Sequence, residues 1–220
     1  MEQMKTVSQK FNHTLKTEQY LKQCQNFPQE GRHIMCHQNE KSLVVYQAFN
    51  KDIAEYAIKN QKFGGENYSF NRMSWIKPNF LWMMYRSDWA QKKGQEKILA
   101  IWISKENFFN NILHNAYSVK RQQREKIQDN KKGLDIRLQW DPDYDPNFKK
   151  QNRRAIQLGL RSQELLNFSD KYIEKIEDIT GFVKEQEYNL RKFGVDQVEI
   201  PIETELIIND QILLEKLDMI

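Results

Sequence analysis

Three cations and four aromatic side chains crowd into one short stretch of this chain. Arg72, Lys77 and Arg86 flank Trp75, Trp82 and Tyr85 within Arg72-Met-Ser-Trp-Ile-Lys-Pro-Asn-Phe-Leu-Trp-Met-Met-Tyr-Arg-Ser87. Arginine presents a planar fork of donors that fits carboxylate or phosphate, and lysine supplies a compact point charge. Aromatic faces beside such cations stack on a base or another ring. The pattern points to a site for an anionic, ring-bearing ligand. The structural alternative is that the cations lay their stems along apolar surface or pair with carboxylates at helix ends.

Two further words place polar groups at the ends of strands. Tyr46-Gln47 lies near the end of a central strand, where ligand sites open in α/β folds. A hydrogen bond to the neighbouring strand is the other use of a buried amide there. Gln139-Trp-Asp-Pro-Asp143 puts two carboxylates at a strand exit. Asp141 and Asp143 suit orienting a hydroxyl, general-base work or steadying a developing positive charge; a solvated Asp-Pro turn is the alternative. The Asp141/Asp143/Asp145 spacing departs from a calcium loop, because Pro146 and Asn152 stand where Gly and Glu belong. Cys24, His33, Cys36 and His37 fit no zinc spacing, so no metal is expected. His114 reads as structural. No dinucleotide, Walker, nucleophile-elbow or zincin motif occurs.

The elements that must position these residues alternate between strand and helix. Ser42–Phe49 and Ile98–Ile103 are nearly continuous apolar runs, as expected of strands covered on both faces. Asn50 caps a helix over 51–61 with Ile53, Ala54, Ala57 and Ile58 inward. Pro78 fits the first turn of a helix that ends near Asp88, and Phe80–Met84 is apolar all round, hence buried. Ser104 caps a helix carrying Phe108, Phe109, Ile112, Leu113 and Ala116. Leu134–Trp140 and Arg154–Leu160 alternate as half-buried strands. The prolines of Asp141–Pro146 predict that this segment leaves the sheet. Ser162 is expected to cap a helix running to Asp178. Val198–Ile208 reads as an extended edge, and Gln211–Met219 as a short helix.

Composition sets the frame. The 220 residues suffice for one domain with a full core. Residues 1–41 and 118–133 are polar, whereas 42–117 is dense in apolar and aromatic residues. The expected organisation is a polar, partly disordered N-terminal extension over 1–41, a core domain over 42–182 and a C-terminal extension over 183–220 packing on that core. The expected fold class is α+β or α/β, a mixed central sheet flanked by helices. Val119–Lys132 reads as a solvated helix or loop. The net charge of +4 is too small to imply nucleic acid by itself. No apolar run is long enough to span a membrane. Two cysteines and no apolar leader point to an intracellular, reducing setting.

Several words in fixed order support a resemblance. Val44-Val-Tyr-Gln-Ala48, Arg72–Pro78, Phe80–Ser87, Gln95–Ala100, Gln139–Asp143 and Ala155–Leu160 together resemble a family of single-domain proteins, a domain of unknown function found in bacteria and fungi. The resemblance covers residues 42–182 and implies no activity. A second likeness concerns element order. A strand ending in Tyr-Gln-Ala, a helix, a Lys-Phe-Gly-Gly turn and a later Gln139-Trp-Asp141 are similar to the opening and the Gln-x-Glu word of ADP-ribosyltransferase folds. Gln47 stands where that family carries His or Arg, and Asp141 is shorter than Glu. This likeness implies a nucleotide-binding protein with NAD as cofactor and ADP-ribosyl transfer as the reaction class. Asp141, Tyr85 and Gln47 would then serve the chemistry. Tyr46, Arg72, Trp75, Lys77, Arg86 and Gln139 would hold the nucleotide. The alternatives are a non-catalytic RNA or single-strand-binding module and a structural subunit of a larger assembly.

Overall fold

A computed structural model describes residues 13–118 and 134–220. The expectation for Val119–Lys132 lies outside these residues, as does the start of the N-terminal extension.

The N-terminal part of the chain is built into the core. β1 (Thr17–Gln19), α1 (Tyr20–Gln23), β2 (Gly31–Arg32) and β3 (Met35–Cys36) precede the long strand β4 (Ser42–Phe49). Leu15, Ile34 and Cys36 are fully buried, and Tyr20 and Phe27 nearly so. The expectation of a partly disordered extension therefore fails over residues 13–41. The cause is long-range pairing, which local composition does not show. β1 pairs antiparallel with β11 (Glu199–Pro201), and β3 with β12 (Thr204–Glu205). Segments near the two ends of the described residues thus pair with each other.

After β4 come α2 (Lys51–Asn60), β5 (Ser74–Ile76), α3 (Phe80–Ser87) and β6 (Lys97–Ser104). Asn50 caps α2 by accepting from Ile53 N at 3.0 Å. The cap of α3 is Asn79, accepting from Trp82 N at 2.7 Å. Pro78 therefore sits outside the helix instead of in its first turn. α4 (Lys105–Asn107) runs into a wider π-type turn over Phe108–Leu113, followed by β7 (Ala116–Ser118), β8 (Ile136–Tyr144) and β9 (Lys150–Leu160).

Asp141–Tyr144 stays in the sheet, against expectation. Pro142 pairs with Arg154, and the register shifts between Pro142 and Tyr144. The proline is tolerated because β7 covers the other edge of β8 only at Ile136–Leu138, so no ladder bond is lost at Pro142. The helix expected over 162–178 is also corrected. α5 (Ser162–Asn167) passes through a π-type turn at Phe168–Tyr172 into β10 (Ile173–Asp178), which pairs with β6. Arg161 occupies the cap position, without a side-chain bond, so Ser162 is not the cap. The chain closes with α6 (Thr180–Phe193), β11, β12 and α7 (Gln211–Lys216).

The result is a mixed α+β domain with seven helices among the described residues. One sheet has the order β10-β6-β4, all antiparallel. The other runs β2-β9-β8-β7, with β5 also on β9. A single bridge joins them: Tyr46 N donates to Lys77 O at 2.7 Å, and Lys77 N returns to Tyr46 O at 3.3 Å. Alternate residues of β4 and β6 feed two cores. Leu43, Val45, Leu99 and Ile101 face one; Val44, Tyr46, Ala100 and Trp102 face the other, with α3 and Phe182 of α6. This explains why both strands read as continuous apolar runs.

Candidate functional site

A cleft of about 830 Å³ opens where the two sheets part. The end of β4, β5, β8 and β9 form its floor and walls; the C-terminal half of α3 and the loop before β5 close its sides. Gln47, Arg72, Trp75, Lys77, Tyr85, Arg86, Gln139 and Asp141 all line it. Residues far apart in sequence and read as one candidate site thus share one cavity.

Tyr46 is the exception and does not line the cleft. Successive side chains of a strand point to opposite faces, and Gln47 takes the cleft side. Tyr46 is fully buried in the second core, edge-on to Phe80 with ring centroids 5.5 Å apart. Asp143 is likewise turned away from the cleft; it pairs with buried Arg153 at 2.6 Å.

The floor is organised around one backbone carbonyl. Trp75 O accepts from Gln47 Nε2 at 3.0 Å and from Lys77 Nζ at 3.2 Å. Gln47 Nε2 also donates to Ser74 Oγ at 2.7 Å. Lys77 Nζ lies 4.9 Å from the centre of the Trp82 ring. Gly159 makes this packing possible. A Cβ there would come within 2.6 Å of Met73 Sδ and 3.0 Å of Trp75 Cε2. Only glycine lets these side chains lie across β9.

Opposite the lysine, Gln157 Nε2 donates to Asp141 Oδ2 at 2.6 Å and to Gln139 Oε1 at 2.9 Å. The register that sets Gln139 against Gln157 fixes this clamp. Burial pushes the Asp141 carboxyl above its ordinary range, while the Gln157 hydrogen bond and the Lys77 and Arg154 charges oppose the shift. Lys77 is 5% exposed. Burial lowers its ammonium pKa to about 7; the Arg86 charge acts in the same direction and the Asp141 charge opposes it. A buried lysine and a half-buried carboxylate are thus each moved toward neutrality in one cleft.

The rim is aromatic and cationic. Tyr85 stacks on Tyr144 at 3.6 Å between centroids. The Gln95 amide faces Arg86; set with its nitrogen toward Arg86 O and its oxygen toward Arg86 Nη1, it makes both bonds, at 3.1 and 3.2 Å. Burial raises the Tyr68 phenol, also in the cleft, to about 12, with Ser74 opposing. Gln157, Ser74, Tyr68 and Tyr144 were missed in the sequence. Gln157 alone had a signal, a polar residue inside the apolar run Ala155–Leu160.

Among the described residues no cluster of His, Cys, Asp and Glu could hold a metal ion. His33 pairs with Glu205 at 2.7 Å and His37 Nδ1 meets Ile202 O at 2.8 Å, so these two histidines tie the chain ends together. No helix among the described residues is long and apolar enough to cross a membrane.

Residues 33–206 match the model of a family described as Domain of unknown function (DUF4291), and the chain belongs to that family. The match extends the resembling region at both ends, taking in β3 and β12, which complete the core. A search among curated proteins finds no match.

Proposed function

We propose that the cleft binds a nucleotide, with NAD as the substrate to test first and ADP-ribosyl transfer as the reaction class. One observation carries the reading: Arg72, Lys77 and Arg86 share a cleft with Trp75, Trp82 and Tyr85 and with a carboxylate held by Gln157. Cations meet the phosphates, and a ring stacks on the aromatic rim. Asp141 accepts from a ribose hydroxyl and steadies positive charge as the glycosidic bond breaks. Lys77 is the least committed cation, since its charge is marginal near neutral pH. Arg86 and Arg72 therefore carry most of the phosphate attraction.

Titration calorimetry with NAD tests this. Saturable binding is expected, weakened by Arg86→Ala; turnover to nicotinamide is expected to fall with Asp141→Ala while binding persists. No heat with NAD, ADP-ribose or AMP contradicts the proposal. Salt-sensitive binding of single-stranded RNA that survives Asp141→Ala would replace it with a non-catalytic nucleic-acid module.

A further inference from the structure

Three buried polar atoms on residues that line the cleft have no hydrogen-bond partner among the described residues: Gln47 Oε1, Tyr68 Oη and Trp82 Nε1. Their residues are 3%, 9% and 5% exposed. Buried polar groups in native proteins are nearly always paired, and an orphan is costly to keep. The orientation of the Gln47 amide follows from its neighbours. Trp75 O can only accept, so the NH₂ must face it, and the oxygen is left over. Trp82 Nε1 can only donate. Gln47 and Trp82 therefore offer one acceptor and one donor, on β4 and α3, with Lys77 between them on the shared Trp75 carbonyl; the Tyr68 hydroxyl can serve as either.

We propose that this floor selects a ligand bearing a planar carboxamide, whose N–H donates to Gln47 Oε1 and whose C=O accepts from Trp82 Nε1–H. The inference rests on reading the cleft as a nucleotide site and specifies the group that enters deepest. A carboxylate offers only acceptors; it would satisfy Trp82 but face the lone pairs of Gln47. A bare ribose lacks the planar edge that carries both an N–H donor and a C=O acceptor. The nicotinamide end of NAD has the required edge, so the dinucleotide enters with that end on the floor and its phosphates toward Arg72 and Arg86. Gln47 and Trp82 are specificity residues in this scheme, whereas Asp141 acts at the ribose.

The test compares NAD, nicotinic acid adenine dinucleotide and ADP-ribose on the full chain, wild type and Trp82→Phe. Trp82→Phe keeps an aromatic ring and removes only the N–H donor. NAD is expected to bind about tenfold or more tightly than either comparator, one hydrogen-bonding edge being worth roughly that factor. In Trp82→Phe this preference is expected to shrink to a few-fold. Should the variant fail to fold, the wild-type ranking decides alone. Equal affinities for all three ligands, with Trp82→Phe indistinguishable, would overturn the inference and leave the nucleotide reading standing. Binding of free nicotinamide without any binding of ADP-ribose would do the reverse. Silence from every ligand would remove both.

Discussion

Two buried polar clusters flank α3, and they are closed to very different degrees. On the side away from the cleft, Asp143 Oδ2 takes Arg153 Nε at 2.6 Å and Oδ1 takes Tyr144 N at 2.7 Å. Glu203 accepts from Phe80 N at 2.6 Å and from Asn79 Nδ2 at 3.1 Å, tying the chain end to the start of α3. The atoms left over there, Arg153 Nη2 and Tyr46 Oη, do not line the cleft. At the cleft floor the leftover atoms, Gln47 Oε1, Tyr68 Oη and Trp82 Nε1, belong to residues that do line it. Both clusters are costly to bury. The first returns that cost as geometry, fixing the start of α3; the second leaves hydrogen-bonding capacity on residues that line a cavity. Buried polarity alone therefore does not mark a site. Unspent polarity facing a cavity does.

The largest effect that would sharpen this contrast is on stability. Arg153→Ala leaves Asp143 buried and unpaired, and is expected to lower the unfolding free energy by about 3–5 kcal/mol. Urea denaturation reads this directly; a loss under about 1 kcal/mol would mean the pair is not structural.

Lys77→Met should act in the opposite direction, raising stability by roughly 1–4 kcal/mol while weakening ligand binding. The pH dependence has a definite sign. Folding lowers the Lys77 pKa from 10.5 to about 7, so between those values the unfolded chain holds the extra proton. Stability then gains with rising pH across that window, and Lys77→Met should remove this gain. Thermal melts from pH 7 to 10 on both proteins check it. Lower stability in Lys77→Met would place the lysine with the structural cluster.

Gly159→Ala is expected to cost about 1–3 kcal/mol by forcing Met73 and Trp75 off β9. Ligand affinity should fall with it, because the displaced indole belongs to the cleft wall; unchanged affinity would remove Trp75 from the site. The smallest effect on stability belongs to Arg86→Ala. Arg86 is solvent-exposed, so stability should move by less than about 0.5 kcal/mol, while nucleotide affinity falls roughly ten- to hundredfold.

The same contrast explains what the sequence revealed. Ser42–Phe49, Ile98–Ile103 and the α3 core were legible because burial on both faces writes a continuous apolar run. The cations and aromatics of the cleft were legible because they sit together in one stretch. Residues 13–41 misled because their partners, β11 and β12, lie at the far end of the chain. Pro142 misled because a proline on an uncovered strand edge leaves the pairing intact. Tyr46 was placed on the wrong face by adjacency to Gln47, an error that strand alternation corrects. The Gln157 clamp and the orphan atoms were beyond reach, since register and hydrogen-bond satisfaction exist only in three dimensions.

The indole N–H resonances offer the most direct test, because four of the five tryptophans are distinguished by their partners. Trp89 donates to Pro146 O at 3.2 Å, Trp102 to Glu177 Oε2 at 2.7 Å and Trp140 to Leu217 O at 2.8 Å, while Trp82 Nε1 has no partner among the described residues. In an NMR titration with NAD, the Trp82 resonance should move downfield and gain protection from exchange, while those of Trp89, Trp102 and Trp140 stay in place. A Trp82 resonance that ignores saturating NAD would contradict the account.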